Sequence, residues 1–215
     1  RKASDIPAPA GPGTVPGAIF AIEGGDCLSG SPDRVNDLHD YGVRIITLVH
    51  LGANELGEST ASAQGTGLTA KGRRVVERMQ EIGVLVDVAH ASLLTLKRVG
   101  EISRRPIVDS HTHLCTSADA ARCGRLRSMQ GMEIVAKTGG VVCTWPMADN
   151  ARSKRETFRD WAREIKDMKK RLGMEHVGLG TDGGGGLPKF IYGWRDVRDL
   201  VRLVSAMQEE GFTRG

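Results

Sequence analysis

Aromatic residues make up only 4% of the 215-residue chain, which leaves few rings for stacking on bases and argues against a single-stranded nucleic-acid platform. The four cysteines, Cys27, Cys115, Cys123 and Cys143, form no C-x-x-C pair, so a zinc ribbon and a thioredoxin-like redox motif are both excluded. The apolar runs stop far short of the roughly 20 residues a spanning helix needs. A charged segment leading into an apolar stretch, the mark of a secretory signal, is also missing from the opening residues. Charge of one sign is scarce too. The net charge is +4, but 30 basic residues are interleaved with 26 acidic ones, as in Arg163 to Arg171, the pattern of a solvated helix face rather than a nucleic-acid patch.

What is there is a repeated alternation of short apolar runs and amphipathic segments in a chain that is 40% hydrophobic and long enough for one domain. Residues 1 to 17 carry four of the eight prolines and read as an extended lead-in. Strands are then expected over Ala18–Glu23, Val43–His50, Val84–His90, Pro106–His111, Gly140–Trp145 and His176–Asp182. Between them lie helices: Asp33–Tyr41, one capped by Thr69 with Val75, Val76, Met79 and Ile82 at helical spacing, and one capped by Ser92. Others are expected over Met132–Thr138, Thr157–Leu172 and Trp194–Gln208.

Strands alternating with helices imply a parallel sheet, whose functional groups gather at the carboxyl ends of the strands. Those ends carry Glu23, His50, His90, His111, Trp145 and Asp182. Convergence of so many such groups favours an α/β fold of the (β/α)8 TIM-barrel type over an open doubly wound sheet, with about two strands expected upstream of Arg1. Neutral imidazoles and a carboxylate suit Zn²⁺, so Glu23, His90 and His111 form a candidate metal set. Asp182 is placed to accept a proton from an activated water, and His50 to donate to an oxyanion. Glu23 is expected to be a buried carboxylate in need of a cation. His39 and His176 read as structural, and His113 is ambiguous. Asp87 and Asp109 precede their histidines and could either orient them or serve packing. Gly183 to Gly186 lack the Lys-Ser/Thr of a phosphate loop.

These stretches together resemble the membrane dipeptidase (renal dipeptidase) family of zinc peptidases, in the amidohydrolase superfamily. The matching segments are Ala21–Gly25 (AIEGG), Gly42–His50 (GVRIITLVH) with Asn54, Gly67–Gly72 (GLTAKG), Gly83–Ser92 (GVLVDVAHAS), Pro106–His111 (PIVDSH), Gly139–Val142 (GGVV) and His176–Asp182 (HVGLGTD). The resemblance implies a barrel holding two zinc ions that hydrolyses dipeptides, including those with a D-residue on the carboxyl side. It implies that Glu23 bridges the metals, that His90 and His111 bind the second, that His50 contacts the scissile carbonyl and that Asp182 takes the proton of the attacking water. The arginine that holds the substrate carboxylate matches Arg125 best, with Arg122 as competitor. Two departures stand out: the family's H-x-D pair occurs nowhere in the chain, and Gly184 replaces a second aspartate. The expected partner is thus a dipeptide, with no nucleic acid and no transmembrane segment, and a homodimer is left open. The alternative function is that of a catalytically impaired homologue binding a small ligand or a protein.

Overall fold

The computed structural model describes residues 17–117, 123–148, 155–183 and 189–213. Six strands form one sheet in chain order: β1 (Phe20–Glu23), β2 (Val43–Thr47), β3 (Leu85–Asp87), β4 (Val108–Thr112), β5 (Val141–Thr144) and β6 (Val177–Leu179). Every pairing is parallel. The helices between them are α1 (Asp33–Asp40), α2 (Ala70–Ile82), α3 (Leu93–Ile102), α4 (Met129–Lys137), α5 (Phe158–Leu172) and, after β6, α6 (Leu200–Glu209). A run of parallel neighbours in sequence order, each joined by a helical crossover, is the α/β barrel-type architecture, of which this chain contributes six consecutive strands.

Local signals set the helices. Thr69 accepts from the Gly72 amide and Gly83, at φ 81°, ends α2 by donating to Met79. Ser92 accepts from the Thr95 amide at the start of α3. Thr157 and Asp160 form a reciprocal capping box on α5. The apolar stripes these caps orient, Val75, Val76, Leu96, Val99, Met132 and Val135, pack on Ile46, Val86 and Val142 of the sheet. A second cluster joins Trp161 and Ile165 of α5 to Leu203 and Ala206 of α6. At Gly180 a Cβ would lie 1.8 Å from the Ser110 carbonyl oxygen, so only glycine permits the approach of the segment after β6 to β4.

Two expectations on the elements are corrected. The strands are shorter than their apolar runs: β2 stops at Thr47 and β3 at Asp87, while Leu48, Val49, Val88 and Ala89 remain buried beyond them. Apolar continuity records burial, and burial outlasts the ladder where a strand turns into its loop. Helix α4 begins at Met129 rather than Met132, because Ser128 caps it through the Gly131 amide. Among the described residues no helix is long and apolar enough to cross a membrane.

Candidate metal centre at the strand ends

Glu23 closes β1 and His111 lies within β4, while His50, His90 and Asp182 sit three residues past the ends of β2, β3 and β6. The parallel register brings these positions to one rim of the sheet. His90 Nε2 lies 2.7 Å from His111 Nε2 and 3.0 Å from Glu23 Oε1. His111 Nε2 is 3.3 Å and His50 Nε2 3.6 Å from the same Glu23 oxygen. Asp182 joins them, with one oxygen within 4.8 Å of ligand atoms of both Glu23 and His111. All five residues singled out at the strand ends for this chemistry are therefore brought together.

His90 is held by its surroundings in a conformation it would not choose. Its φ is 63°, in the left-handed region that a side chain rarely occupies. The Arg127 guanidinium fixes the turn from outside, donating to the carbonyls of Val88 (2.8 Å) and Ala91 (2.7 Å) and, through Nε, to Asp109 (2.7 Å). The loop before α2 grips it from the other side: the Thr60 amide donates to the His90 carbonyl and the Ser92 amide to that of Glu58. Glu58 in turn organises that loop, accepting from the amides of Gln64, Thr66 and Gly67 and from the Thr66 hydroxyl.

His111 is anchored through its other nitrogen. Ser110 Oγ lies 2.9 Å from His111 Nδ1 and donates to Asp87 Oδ2 at 2.6 Å. Asp87 also accepts from Thr47 Oγ1, the Ala89 amide and the Ser110 amide, so one buried carboxylate ties β2, β3 and β4 together at the rim.

The surroundings of His90 leave its nitrogens free to act as ligands. Burial, followed by charge repulsion from its neighbours, among them the Arg125 and Arg127 guanidinium groups, pushes the His90 imidazole down to about 2, keeping it in the neutral form that binds metals. Two imidazole Nε2 atoms and a carboxylate oxygen face one another at 2.7 to 3.3 Å. Ligand atoms bound tetrahedrally to zinc at about 2.0–2.1 Å sit about 3.3 Å apart, so the donor set fits such an ion after a small expansion.

Arg125 Nη2 is 3.1 Å from His90 Nδ1 and 3.4 Å from Nε2. A donor aligned with one lone pair would be much farther from the other nitrogen, so this guanidinium lies over the ring face. Arg122 and Gly184 lie outside the described residues.

Other sequence expectations resolve differently. Glu23 is not buried: its side chain is 39% exposed, on the outermost strand of the sheet among the described residues. Trp145 donates to His113 Nδ1 at 2.6 Å and packs 5.2 Å from the His111 ring; His113 is buried and pushed down to about 2 by that burial and by Arg155. Asp109 serves Arg127, not a histidine. His176 Nδ1 meets the Gly140 carbonyl, in line with its structural reading. The sequence reading also missed the buried Arg155–Glu164 pair and the Cys115–Cys123 disulfide, which closes the loop just before Arg125.

A parallel barrel-type sheet with histidine and carboxylate donors on its carboxyl rim defines the class, a metal-compatible (β/α)-barrel protein. Within that class the chain belongs to the membrane dipeptidase family (Peptidase family M19), whose family model matches residues 12–214. It is similar to dipeptidase verJ of Clonostachys rogersoniana, with 30% identity over 196 residues, covering 90% of this chain and 50% of that protein. It is also similar to dipeptidase 3 of Rattus norvegicus, with 28% identity over 205 residues, 90% of this chain and 40% of that one. The chain thus spans about half the length of the curated relatives it matches. A crystal structure of a metallo peptidase from Rhodobacter sphaeroides, liganded with a phosphinate mimic of the dipeptide L-Ala-D-Ala, has the same fold. The TM-score is 0.78 at 23% identity, over 91% of this chain and 57% of that one. An amidohydrolase from Pseudomonas aeruginosa matches at a TM-score of 0.78 and 21% identity, over 91% of this chain and 66% of that one.

Proposed function

We propose that the protein is a zinc-dependent dipeptidase acting on dipeptides that carry a free C-terminal carboxylate, including those with a D-residue on that side. The observation that carries this reading is the meeting of Glu23 Oε1, His90 Nε2 and His111 Nε2 within 2.7 to 3.3 Å at the rim of a membrane-dipeptidase-family sheet. These three residues would hold one zinc. A zinc bound there supplies Lewis-acid polarisation of the scissile carbonyl and acidifies a nearby water.

The remaining steps fall to the chain's own residues. Asp182, within reach of both Glu23 and His111, takes the proton of the attacking water as the new C–O bond forms and then delivers it to the amide nitrogen, so that the peptide C–N bond breaks and the amine leaves. His50, half-buried and beside Glu23, donates to the carbonyl oxygen as negative charge builds on it. Arg125, above the His90 ring, pairs with the substrate carboxylate, whose two oxygens suit a guanidinium fork. The phosphinate mimic of L-Ala-D-Ala bound to the Rhodobacter sphaeroides relative supports that choice of substrate.

The test is elemental analysis of protein purified without chelator, together with L-Ala-D-Ala hydrolysis before and after exhaustive chelation. Zinc in at least equimolar amount and hydrolysis that is lost on chelation and restored by zinc are expected. Undiminished hydrolysis in fully stripped protein would overturn the reading. Zinc without hydrolysis would favour the impaired, ligand-binding homologue.

A further inference from the structure

The donors on Asp87 impose an order on the hydrogen bonds behind the centre. Asp87 Oδ1 accepts two backbone amides, those of Ala89 and Ser110, each at 3.0 Å. Its Oδ2 lies between two hydroxyls, Thr47 Oγ1 and Ser110 Oγ, each at 2.6 Å. An ionised carboxylate is acceptor-only, so both hydroxyls must spend their single proton on it. Ser110 Oγ then has only lone pairs left for His111 Nδ1, 2.9 Å away. An acceptor there requires a proton on Nδ1.

We propose that Ser110 is a positioning residue: its hydroxyl, committed as donor to Asp87, accepts from His111 Nδ1–H and so presents the Nε2 lone pair of His111 to the metal centre. The proposal rests on the reading of His111 as a metal ligand, and it extends that reading one layer outward. A second consequence follows within the same network. With Nε2 of His111 able only to accept, the hydrogen bridging the two Nε2 atoms, 2.7 Å apart, belongs to His90. The two imidazoles of the metal-free protein therefore carry opposite tautomers, and Ser110 is what breaks their symmetry. The arrangement is the one that ligating histidines commonly use, a fixed acceptor on the far nitrogen that settles both tautomer and ring orientation. Here the acceptor is a hydroxyl relaying a carboxylate from the neighbouring strand, and the pairing of β3 with β4, Asp87 opposite Val108, sets the relay's length.

The experiment is imidazole ¹⁵N NMR on the metal-free protein at fixed neutral pH, paired with zinc titration, for the parent, Ser110→Ala and Ser110→Thr. Circular dichroism checks that all three remain folded. The parent is expected to show His111 protonated on Nδ1 and His90 on Nε2. Ser110→Ala should lose that bias and bind zinc about tenfold to a hundredfold more weakly, and Ser110→Thr, which keeps the hydroxyl, should restore both. A parent His111 protonated on Nε2, or a bias unchanged in Ser110→Ala, overturns the proposal. A lost bias with unchanged zinc affinity overturns the positioning role while leaving the zinc centre standing. Absence of zinc binding in all three variants instead overturns the metal reading, and with it any role of Ser110 toward a metal, whatever the tautomers show.

Discussion

Arg125 is the residue whose role depends most on where it lies. It covers the His90 ring face, where it helps keep that imidazole neutral. Replacing it by Met should therefore cost the substrate carboxylate its partner. Charge-assisted hydrogen bonds contribute about 1.5–3 kcal/mol, so kcat/KM for L-Ala-D-Ala should fall by about 10- to 100-fold, chiefly through KM, in steady-state assays. A loss confined to kcat would place Arg125 elsewhere in the reaction. The residues at the strand ends were legible because rare side chains terminated apolar runs: His90 and His111 announce themselves that way. Asp87 was legible as a candidate to orient a histidine, but Arg127 and Glu58 did not stand out. Each acts by hydrogen bonds to backbone or to residues far along the chain, such as Arg127 to Val88, and no local spacing encodes such pairings.

At the scale of elements, the buried Arg127–Asp109 pair joins β4 to the turn after β3. Removing Arg127 leaves a buried carboxylate without its partner and the Ala91 carbonyl without its donor, while the Val88 carbonyl keeps the Ala91 amide. Arg127→Met should thus destabilise the protein by about 3–5 kcal/mol, read in urea unfolding, and adding Asp109→Leu should recover much of that loss. A negligible effect of the single change would deny the pair its bracing role. The Glu58 loop has an acid limit with a definite sign. Hydrogen bonds from the Thr66 side chain and the Gly67 amide, ahead of the others, hold this carboxyl at about 2 against its ordinary 4.5. A lowered folded value means that the contribution is complete above about pH 4.5 and disappears as pH falls through about 2. Pepsin should accordingly begin to cut within residues 54–69 as pH drops through that window, and Glu58→Gln should open the same loop to a neutral protease at pH 7. The elements themselves were readable from caps and stripes: Thr69 with Gly83, Ser92, and Thr157 with Asp160 bound helices as their chemistry predicts. Strand ends were less so, since His50 and His90 leave the ladder before the rim and burial continues without pairing.

At the scale of the whole molecule, β1 and β6 are the outermost strands of the sheet among the described residues, with Phe20 on β1 65% exposed and Leu179 on β6 47%. The candidate metal centre joins residues at the ends of β1, β3 and β4. Zinc should therefore stabilise the folded chain. At a free concentration 100 times Kd the gain is about 2.7 kcal/mol, or roughly 5–10 °C in Tm for a chain of this size, measured by thermal unfolding with and without chelator. No shift at saturating zinc would mean that the three donors do not share an ion. The sequential order of the strands carries a consequence in time. Because spatial neighbours are also neighbours along the chain, Glu23, His90 and His111 are all synthesised before α5, β6 and α6 exist. At about 5–20 residues per second, a ribosome needs roughly 3 to 13 s to travel from His111 to the start of β6 at Val177. The growing polypeptide is thus able to offer these three donors to a cation before the strand that carries Asp182 to the rim has been made.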